Sequence, residues 1–264
     1  MSRTTLIHAG WILPMASEPV VLRDHALVLK DSRIDAILTA EQAKSVVADE
    51  VLHLPQHVLM PGLVNLHGHS AMTLLRGLAD DLALMDWLNN HIWPAEGKHV
   101  SDAFVHDGSV LAMAEMLLGG TTTINDMYFY HGAVARASLK AGMRTFVGCS
   151  ILEFPTNYAQ SSAQYIEKSL AEAQEFAGED LVKFVWAPHA PYTVSDDTFR
   201  KVVELADQHD WLIHCHIHET AFEVESSVKE HGKRPLARLD DLGVLNPRLI
   251  AAHMVHTNAE EVAL

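Results

Sequence analysis

The chain has 264 residues, of which 34 are Asp or Glu and 19 are Lys or Arg, so its formal net charge is −15. A chain this acidic lacks the basic surface that binds a nucleic-acid backbone or an anionic membrane, so we expect neither partner. With 48% hydrophobic and 20% charged residues the composition is typical of a folded globular protein, and no apolar run approaches the roughly 18 residues of a membrane span.

The N-terminal segment MSRTTLIHAGWILPM has too short an apolar stretch for a secretion signal. The two cysteines, Cys149 and Cys215, cannot form a disulfide framework, so we expect a cytoplasmic protein. Histidine is unusually frequent, with 18 residues. Because histidine is the commonest metal ligand and titrates near neutral pH, the histidines are the first candidates for chemistry.

The first 57 residues predict a small β domain. Only Glu41–Val47 suggests a helix, and the letters KDSRID at residues 30–35 are typical of a hairpin turn. The stretches that are β-rich or alternate in polarity are Thr5–Ile12, Ala26–Lys30, Ile34–Leu38 and Val51–Leu54.

Residues 58–264 have a different pattern, in which continuous apolar runs alternate with amphipathic stretches. The runs are Val58–Leu66, Thr121–Met127, Arg144–Leu152, Val182–Pro188, Trp211–His218 and Leu249–His253. The amphipathic stretches are Asp102–Leu118, His131–Ala141, Ser161–Phe176, Ser195–His209 and Ala221–His231. Strands of this kind are buried on both faces of a parallel sheet, so six consecutive βα units predict an α/β barrel.

A closed barrel of this type has eight strands, and six are recognisable here. The last eight residues, 257–264, are typical of a helix N-terminus, with Thr257 or Asn258 as the cap and Glu260 and Glu261 in the first turn. We therefore expect the chain to be part of a longer protein, the alternative being an open six-stranded sheet.

The strongest local motif is MPGLVNLHGHS, residues 60–70, which places His67 and His69 at the C-terminal end of the first barrel strand. A spacing of two puts both imidazoles on one face of a strand. Active sites of barrels lie at this end of the strands, and two inward imidazoles supply half of a zinc site. The alternative is a pair of hydrogen-bonded polar residues at a strand end.

A second motif, WLIHCHIHET, spans residues 211–220. His214, His216 and His218 share one face but are roughly 7 Å apart along the strand, so they cannot all bind one ion. His216 is the best candidate ligand, because Glu219 follows it beyond the strand end and a carboxylate there can shuttle protons. We interpret His214 as a buried strand residue, and His218 as lying on the rim or behind the site.

Two further histidines follow strands four and six. His253 ends the sixth strand and could bind the metal, hold the attacking water or polarise the substrate, whereas His256 is interpreted as an ordinary loop residue. His189 lies between Pro188 and Pro191, which stiffen its loop. A rigid histidine at the mouth of a barrel suits substrate binding, with a loop-stabilising role as the alternative. Candidate residues thus follow strands one, four, five and six at the same end.

Taken together, these motifs resemble the amidohydrolase superfamily. Within it they are most similar to the branch of nucleoside and triazine deaminases and chlorohydrolases, and there to the 5′-methylthioadenosine/S-adenosylhomocysteine deaminases. The resemblance runs through nearly the whole chain. The matching segments, in order, are PGLVNLHGHSAMTLLRGLADDLALMDWLNNHIWPAE, GGTTTINDMYF, APHAPYT, HCHIHET and AAHMVH.

The resemblance implies a (β/α)8 TIM-barrel fold, with about six βα units present in residues 58–264, and part of a small N-terminal β-sandwich in residues 1–57. It implies Glu219 as the proton-shuttling acid and His253 as the histidine that contacts the hydrolytic water. It implies Glu96 as the acid that binds ribose hydroxyls and His189 as a substrate contact. The implied metal ligands are His67, His69 and His216, with an aspartate beyond residue 264 as the fourth.

The implied cofactor is one Zn²⁺ per subunit, with Fe²⁺ or Mn²⁺ as alternatives. Binuclear members carry a lysine at the C-terminal end of the fourth strand, whereas Lys183 lies at its beginning, which favours a mononuclear site. Trp87, Leu88 and Trp93 are interpreted as lid or core packing.

The implied reaction is hydrolytic deamination of a 6-aminopurine nucleoside, namely 5′-methylthioadenosine, S-adenosylhomocysteine or adenosine, to an inosine-type product and ammonia. Members of this group are often homo-oligomers, which we expect here. One alternative is a guanine or triazine amino- or chlorohydrolase on the same scaffold. The other is an inactive fragment that needs a partner to fold.

Overall fold

The computed structural model describes residues 2–264. Contacts divide the chain into two compact units with the boundary between Gly62 and Leu63. The domain division predicted after residue 57 stays a prediction. Within the described residues, no helix combines the length and the apolar character needed to cross a bilayer.

The first unit is a four-stranded sheet with the strand order β3-β2-β1-β4. Its elements are β1 (Thr4–Ile12), β2 (Leu22–Lys30), β3 (Arg33–Thr39), α1 (Ala40–Ala43) and β4 (Glu50–Leu59). Strands β1 and β4 are parallel, whereas β1 and β2 and β2 and β3 are antiparallel. Asp31 adopts a positive φ of 52° in the tight turn between β2 and β3, where the sequence predicts a hairpin.

The second unit contains a six-stranded parallel sheet in the order β10-β9-β8-β7-β6-β5. The sheet curves far enough for its two outer strands, β10 and β5, to contact each other, so it forms a nearly closed barrel. This confirms the predicted α/β barrel of six units. The strands are β5 (Leu63–Gly68), β6 (Thr121–Tyr128), β7 (Arg144–Ile151), β8 (Val182–Pro188), β9 (Ile213–Ile217) and β10 (Leu249–His253).

Helices follow the strands. Ser101, Ser161, Ser195 and Thr220 cap four of them by accepting a backbone N–H three residues further on. A π-helical segment, Leu88–Ile92, joins the second and third helices. The helices of the second unit are α2 (Leu84–Trp87), α3 (Trp93–His99), α4 (Asp102–Leu118), α5 (His131–Ala141), α6 (Ser162–Glu175), α7 (Asp196–His209), α8 (Ala221–His231), α9 (Pro235–Asp241) and α10 (Ala259–Val262).

The core of the second unit lies between the sheet and these helices. Its largest fully buried side chains include Trp186, Tyr165 and Phe199. Gly148 on β7 is essential to this packing, because a Cβ at that position would lie 2.2 Å from the carbonyl oxygen of Asp126 on β6.

The predicted bounds of two strands and three helices agree with the structure, among them β10 and α4. The predicted strand Val58–Leu66 is wrong as a single element. Its first two residues belong to β4, whose pairing with β1 continues to Leu59, and β5 begins only at Leu63. Pro61 and Gly62 lie between the two strands, where proline removes a donor from any ladder. Helices α2, α3 and α9 were not predicted.

Candidate active site

Histidines converge at the C-terminal ends of the barrel strands. Ligand nitrogens of His67 on β5, His216 on β9 and His253 on β10 all lie within 4.8 Å of one another. The ring of His69, just after β5, lies beside this cluster, with centroid distances of 4.8 Å to His67 and 5.3 Å to His216. Parallel strands bring these side chains together because their carboxyl ends meet at one edge of the sheet.

Hydrogen bonds from the protein orient the imidazoles. His69 Nδ1 donates to the carbonyl oxygen of Met127 at 2.6 Å, and His216 Nδ1 donates to that of His189 at 2.8 Å. Each bond fixes the proton on Nδ1 and leaves Nε2 with a free lone pair. His67 Nδ1 shares a hydrogen bond with His214 Nε2 at 2.9 Å.

The protonation state of the cluster also suits a metal. Burial, reinforced by the neighbouring His69 and His253, lowers the pKa of His67 to about 3. Burial lowers the pKa of His214 to about 3 as well, and it depresses the pKa of His216 strongly. Neutral imidazoles at physiological pH are ready ligands for zinc, iron or manganese, so the residues present fit a transition-metal ion.

Glu219 lies beside this cluster, just after β9. Its Oε1 is 3.5 Å from His253 Nε2, and both side chains are about one quarter exposed. His253 and Met254 both have positive φ, 74° and 54°. A non-glycine residue held in such a conformation costs roughly 1–3 kcal/mol, a strain that clusters at functional sites.

His189 approaches the cluster from the loop after β8, with its ring centroid 4.8 Å from that of His216. Its Nδ1 hydrogen-bonds Thr193 Oγ1 at 2.9 Å, and burial lowers its pKa to about 3. The guanidinium of Arg238, itself buried, donates to the carbonyl oxygens of Pro191 and Val194 at 2.6 and 3.3 Å. The loop is therefore held rigidly, as its prolines predict.

Glu96, which the sequence singled out only through the family resemblance, lies on α3. It accepts a hydrogen bond from the hydroxyl of Tyr128 at 2.6 Å, at the end of β6. Burial raises the pKa of Glu96, and the Tyr128 hydrogen bond partly opposes the rise. Tyr128 was missed because nothing in its local sequence reveals a partner 32 residues away.

The histidine cluster, Glu96 with Tyr128, His189 and Glu219 line one cavity of about 720 Å³. It brings together the seven residues predicted for the site, namely His67, His69, Glu96, His189, His216, Glu219 and His253. Trp87, Leu88 and Trp93 also line it, so they are wall residues and not only packing. The spacing of Trp93 three residues before Glu96 is a signal that could have revealed this, because such residues are neighbours on a helix.

The other histidines of the motifs do not line this cavity. His214 is fully buried beneath His67, as expected of a strand residue. His218 is fully buried too, and its Nε2 accepts the backbone N–H of Leu236 at 3.1 Å. His256 is exposed, and its backbone N–H donates to the carbonyl oxygen of His218.

Comparison with known proteins agrees with this geometry. Residues 58–264 match the pattern of the family described as "Amidohydrolase family". The chain is 45% identical to a 5-methylthioadenosine/S-adenosylhomocysteine deaminase of Teredinibacter turnerae over 269 residues, which cover 100% of the chain and 61% of that relative. The chain thus spans about three fifths of the length of this curated relative.

Solved structures show the same similarity. An adenosine deaminase from Xanthomonas campestris with bound zinc superposes with a TM-score of 0.95 at 46% identity, covering 98% of this chain and 59% of that one. An atrazine chlorohydrolase from Arthrobacter aurescens complexed with zinc gives a TM-score of 0.89 at 18% identity, with 98% and 62% covered. The second similarity bears on the fold alone.

Proposed function

The chain belongs to the amidohydrolase family, and from that membership we propose that the whole protein is a zinc-dependent hydrolase that deaminates 6-aminopurine nucleosides. Water replaces the amino group at purine C6, giving an inosine-type product and ammonia. The observation that carries the proposal is the convergence of the imidazoles of His67, His216 and His253 with the Glu219 carboxylate in one cavity.

His67, His69 and His216 are the metal ligands in this proposal, with an aspartate beyond residue 264 as the fourth. The free Nε2 atoms of His69 and His216 support the assignment, since their Nδ1 atoms are bonded to carbonyl oxygens. A zinc ion held by these residues would make water acidic enough to supply a nucleophile at neutral pH.

Glu219 moves the proton in this scheme. Its carboxylate takes a proton from the attacking water and passes it to the ring nitrogen next to C6 as that carbon becomes tetrahedral. The remaining hydroxyl proton, carried by the proposed aspartate, goes to the amino group, which leaves as ammonia. His253, with Nε2 at 3.5 Å from Glu219, stabilises the oxygen that develops charge at C6. Glu96 accepts hydrogen bonds from the ribose hydroxyls, and His189 orients the base.

The proposal is tested with the purified protein, by following ammonia release from 5′-methylthioadenosine, adenosine and free guanine, with zinc content measured on the same samples. We expect nucleoside turnover that a chelator abolishes and zinc restores. Turnover of guanine or a triazine alone would favour the alternative hydrolase.

The ligand set has its own test, because the imidazole of His253 lies in the same cluster as the proposed ligands. We expect His69→Ala to lose bound zinc and His253→Ala to retain most of it, with the exposed His256→Ala as the control. Zinc loss in His253→Ala alone would reassign His253 as a ligand.

Cytoplasmic location and homo-oligomerisation are also part of the proposal, the latter by family resemblance.

A further inference from the structure

The cavity wall next to Glu96 is aromatic. Ile92 and Trp93 precede Glu96 by four and three residues, so the three side chains are neighbours along one side of this helical segment. Phe154, from the loop after β7, faces Trp93 with a centroid distance of 6.0 Å. All four residues line the cavity.

We propose that this aromatic wall is the subsite for the 5′ substituent of the nucleoside, and that it selects uncharged substituents, a thioether or a simple deoxy group, over a zwitterionic amino acid. The inference rests on the proposed function and on Glu96 as the ribose contact. With C6 at the histidine cluster and the ribose at Glu96, a group on C5′ leads away from the cluster towards Trp93 and Phe154.

The charges around the cavity support this selection. Among the described residues that line it there is no lysine or arginine, and its carboxylates are Glu96 and Glu219. The homocysteine group of S-adenosylhomocysteine carries a carboxylate and an ammonium at neutral pH. A carboxylate moved from water into an apolar wall without a cationic partner is strongly disfavoured.

The polar side chains near the wall are already engaged. The Asn157 amide donates to the carbonyl oxygens of Gly97 and Val100 at 2.9 and 3.1 Å. The Gln160 amide donates to the carbonyl oxygen of Thr156 at 3.0 Å. A carboxylate at this wall would therefore have to break bonds that hold the protein together.

Cations on nearby helices do not serve the wall either. Lys98 on α3 is exposed and does not line the cavity, and two others are engaged. The Lys168 ammonium donates to the carbonyl oxygen of Tyr158, and Arg136 pairs with Asp102 at 2.7 Å. A methylthio group needs neither cation, because its sulfur and methyl pack favourably against aromatic rings. The hydroxyl of adenosine loses only a neutral hydrogen bond.

The experiment measures kcat/KM for four nucleosides that differ at C5′: 5′-methylthioadenosine, 5′-deoxyadenosine, adenosine and S-adenosylhomocysteine. We expect the first two to be the best substrates, with adenosine reduced by at most about 100-fold, since an apolar pocket rejects an added hydroxyl weakly. We expect S-adenosylhomocysteine to fall by more than about 100-fold. Dissociation constants measured by calorimetry on the Glu219→Gln protein should follow the same order.

A variant that introduces a positive charge sharpens the test. Phe154→Arg places a cation at the wall and should raise the ratio of kcat/KM for S-adenosylhomocysteine to kcat/KM for 5′-methylthioadenosine by at least about 10-fold. Phe222→Arg, the same change at an exposed residue outside the cavity, should leave this ratio unchanged. Equal or better use of S-adenosylhomocysteine by the unmodified protein would overturn the inference and leave the deaminase standing. No turnover of any of the four would overturn the proposed function and this inference with it.

Discussion

The carboxylate of Glu223 accepts a hydrogen bond from the backbone N–H of Glu219 at 2.8 Å. Its other oxygen accepts the backbone N–H of His218, also at 2.8 Å, and the Glu223 N–H donates to Thr220 Oγ1. Glu223 is 1% exposed. One buried side chain therefore fixes the turn from which the proposed catalytic carboxylate projects.

We expect Glu223→Gln to lower kcat about 10-fold with little change in KM. The glutamine amide has one acceptor oxygen, so its NH2 group would face one of the two backbone N–H groups that the carboxylate now accepts. Hydrogen bonds to a charged group contribute about 1.5–3 kcal/mol. Steady-state kinetics measure the change in kcat. Glu230→Gln, an exposed glutamate on the same helix, is the matched control. Unchanged kcat in Glu223→Gln would show that the turn holds its shape without the carboxylate.

Glu219→Gln removes the proposed proton carrier while keeping the size of the side chain. General acid–base catalysis contributes about 10²- to 10⁴-fold, so we expect kcat to fall by that factor. The zinc content, measured by atomic emission, should stay at the unmodified level, since Glu219 is not a proposed ligand. Near-normal turnover would remove Glu219 from the mechanism.

Glu96→Ala separates nucleosides from free bases. If Glu96 binds the ribose hydroxyls, kcat/KM should fall by at least about 10-fold for 5′-methylthioadenosine, the loss of a charge-assisted hydrogen bond. Any turnover of free adenine should change far less, because adenine has no ribose. An equal loss of kcat/KM for both substrates would mean that Glu96 supports the structure of the cavity and does not bind the ribose.

Substrate binding should depend on pH through Glu96. Burial raises the pKa of this carboxyl group, so it loses its charge on acidification at a higher pH than an ordinary glutamate, and KM should rise there. The Tyr128 hydrogen bond lowers the same pKa, so in Tyr128→Phe the rise in KM should begin at still higher pH. Measuring KM against pH for both proteins tests the direction of this shift. A rise in KM that begins at lower pH in Tyr128→Phe than in the unmodified protein would contradict the prediction.

The loop that carries His189 should depend on Arg238. Beyond its bonds to two loop carbonyls, the guanidinium pairs with Asp196 at 2.6 Å and is 7% exposed. The ammonium group of lysine cannot reproduce this planar set of N–H donors, so we expect Arg238→Lys to lower the free energy of unfolding by about 3 kcal/mol. Denaturant titration measures the loss. Arg200→Lys, at an exposed pair with Asp197, should change it by less than about 0.5 kcal/mol.

The fold could be predicted where one run of apolar residues corresponds to one buried strand. Strand β8 is buried along most of its length, so its apolar run marks its ends well. The prediction failed where one run served two elements, as at residues 58–66, because apolar residues on both sides of Pro61 belong to different sheets. Helix α3 was missed because its seven residues contain Pro94 and Gly97 and are too few to show a period.

By itself the sequence determined which residues follow the barrel strands. Buried strands are runs of apolar residues, and polar residues resume at the C-terminal end of each strand, where the active sites of barrels lie. The sequence thereby identified His67, His216, Glu219 and His253 as candidates. Only the tertiary structure decided which of them meet: that His253 faces Glu219 at 3.5 Å, and that Tyr128 bonds Glu96. These pairings depend on strand order, register and the closure of the sheet, which are set by contacts between residues far apart in the chain and therefore leave no local pattern.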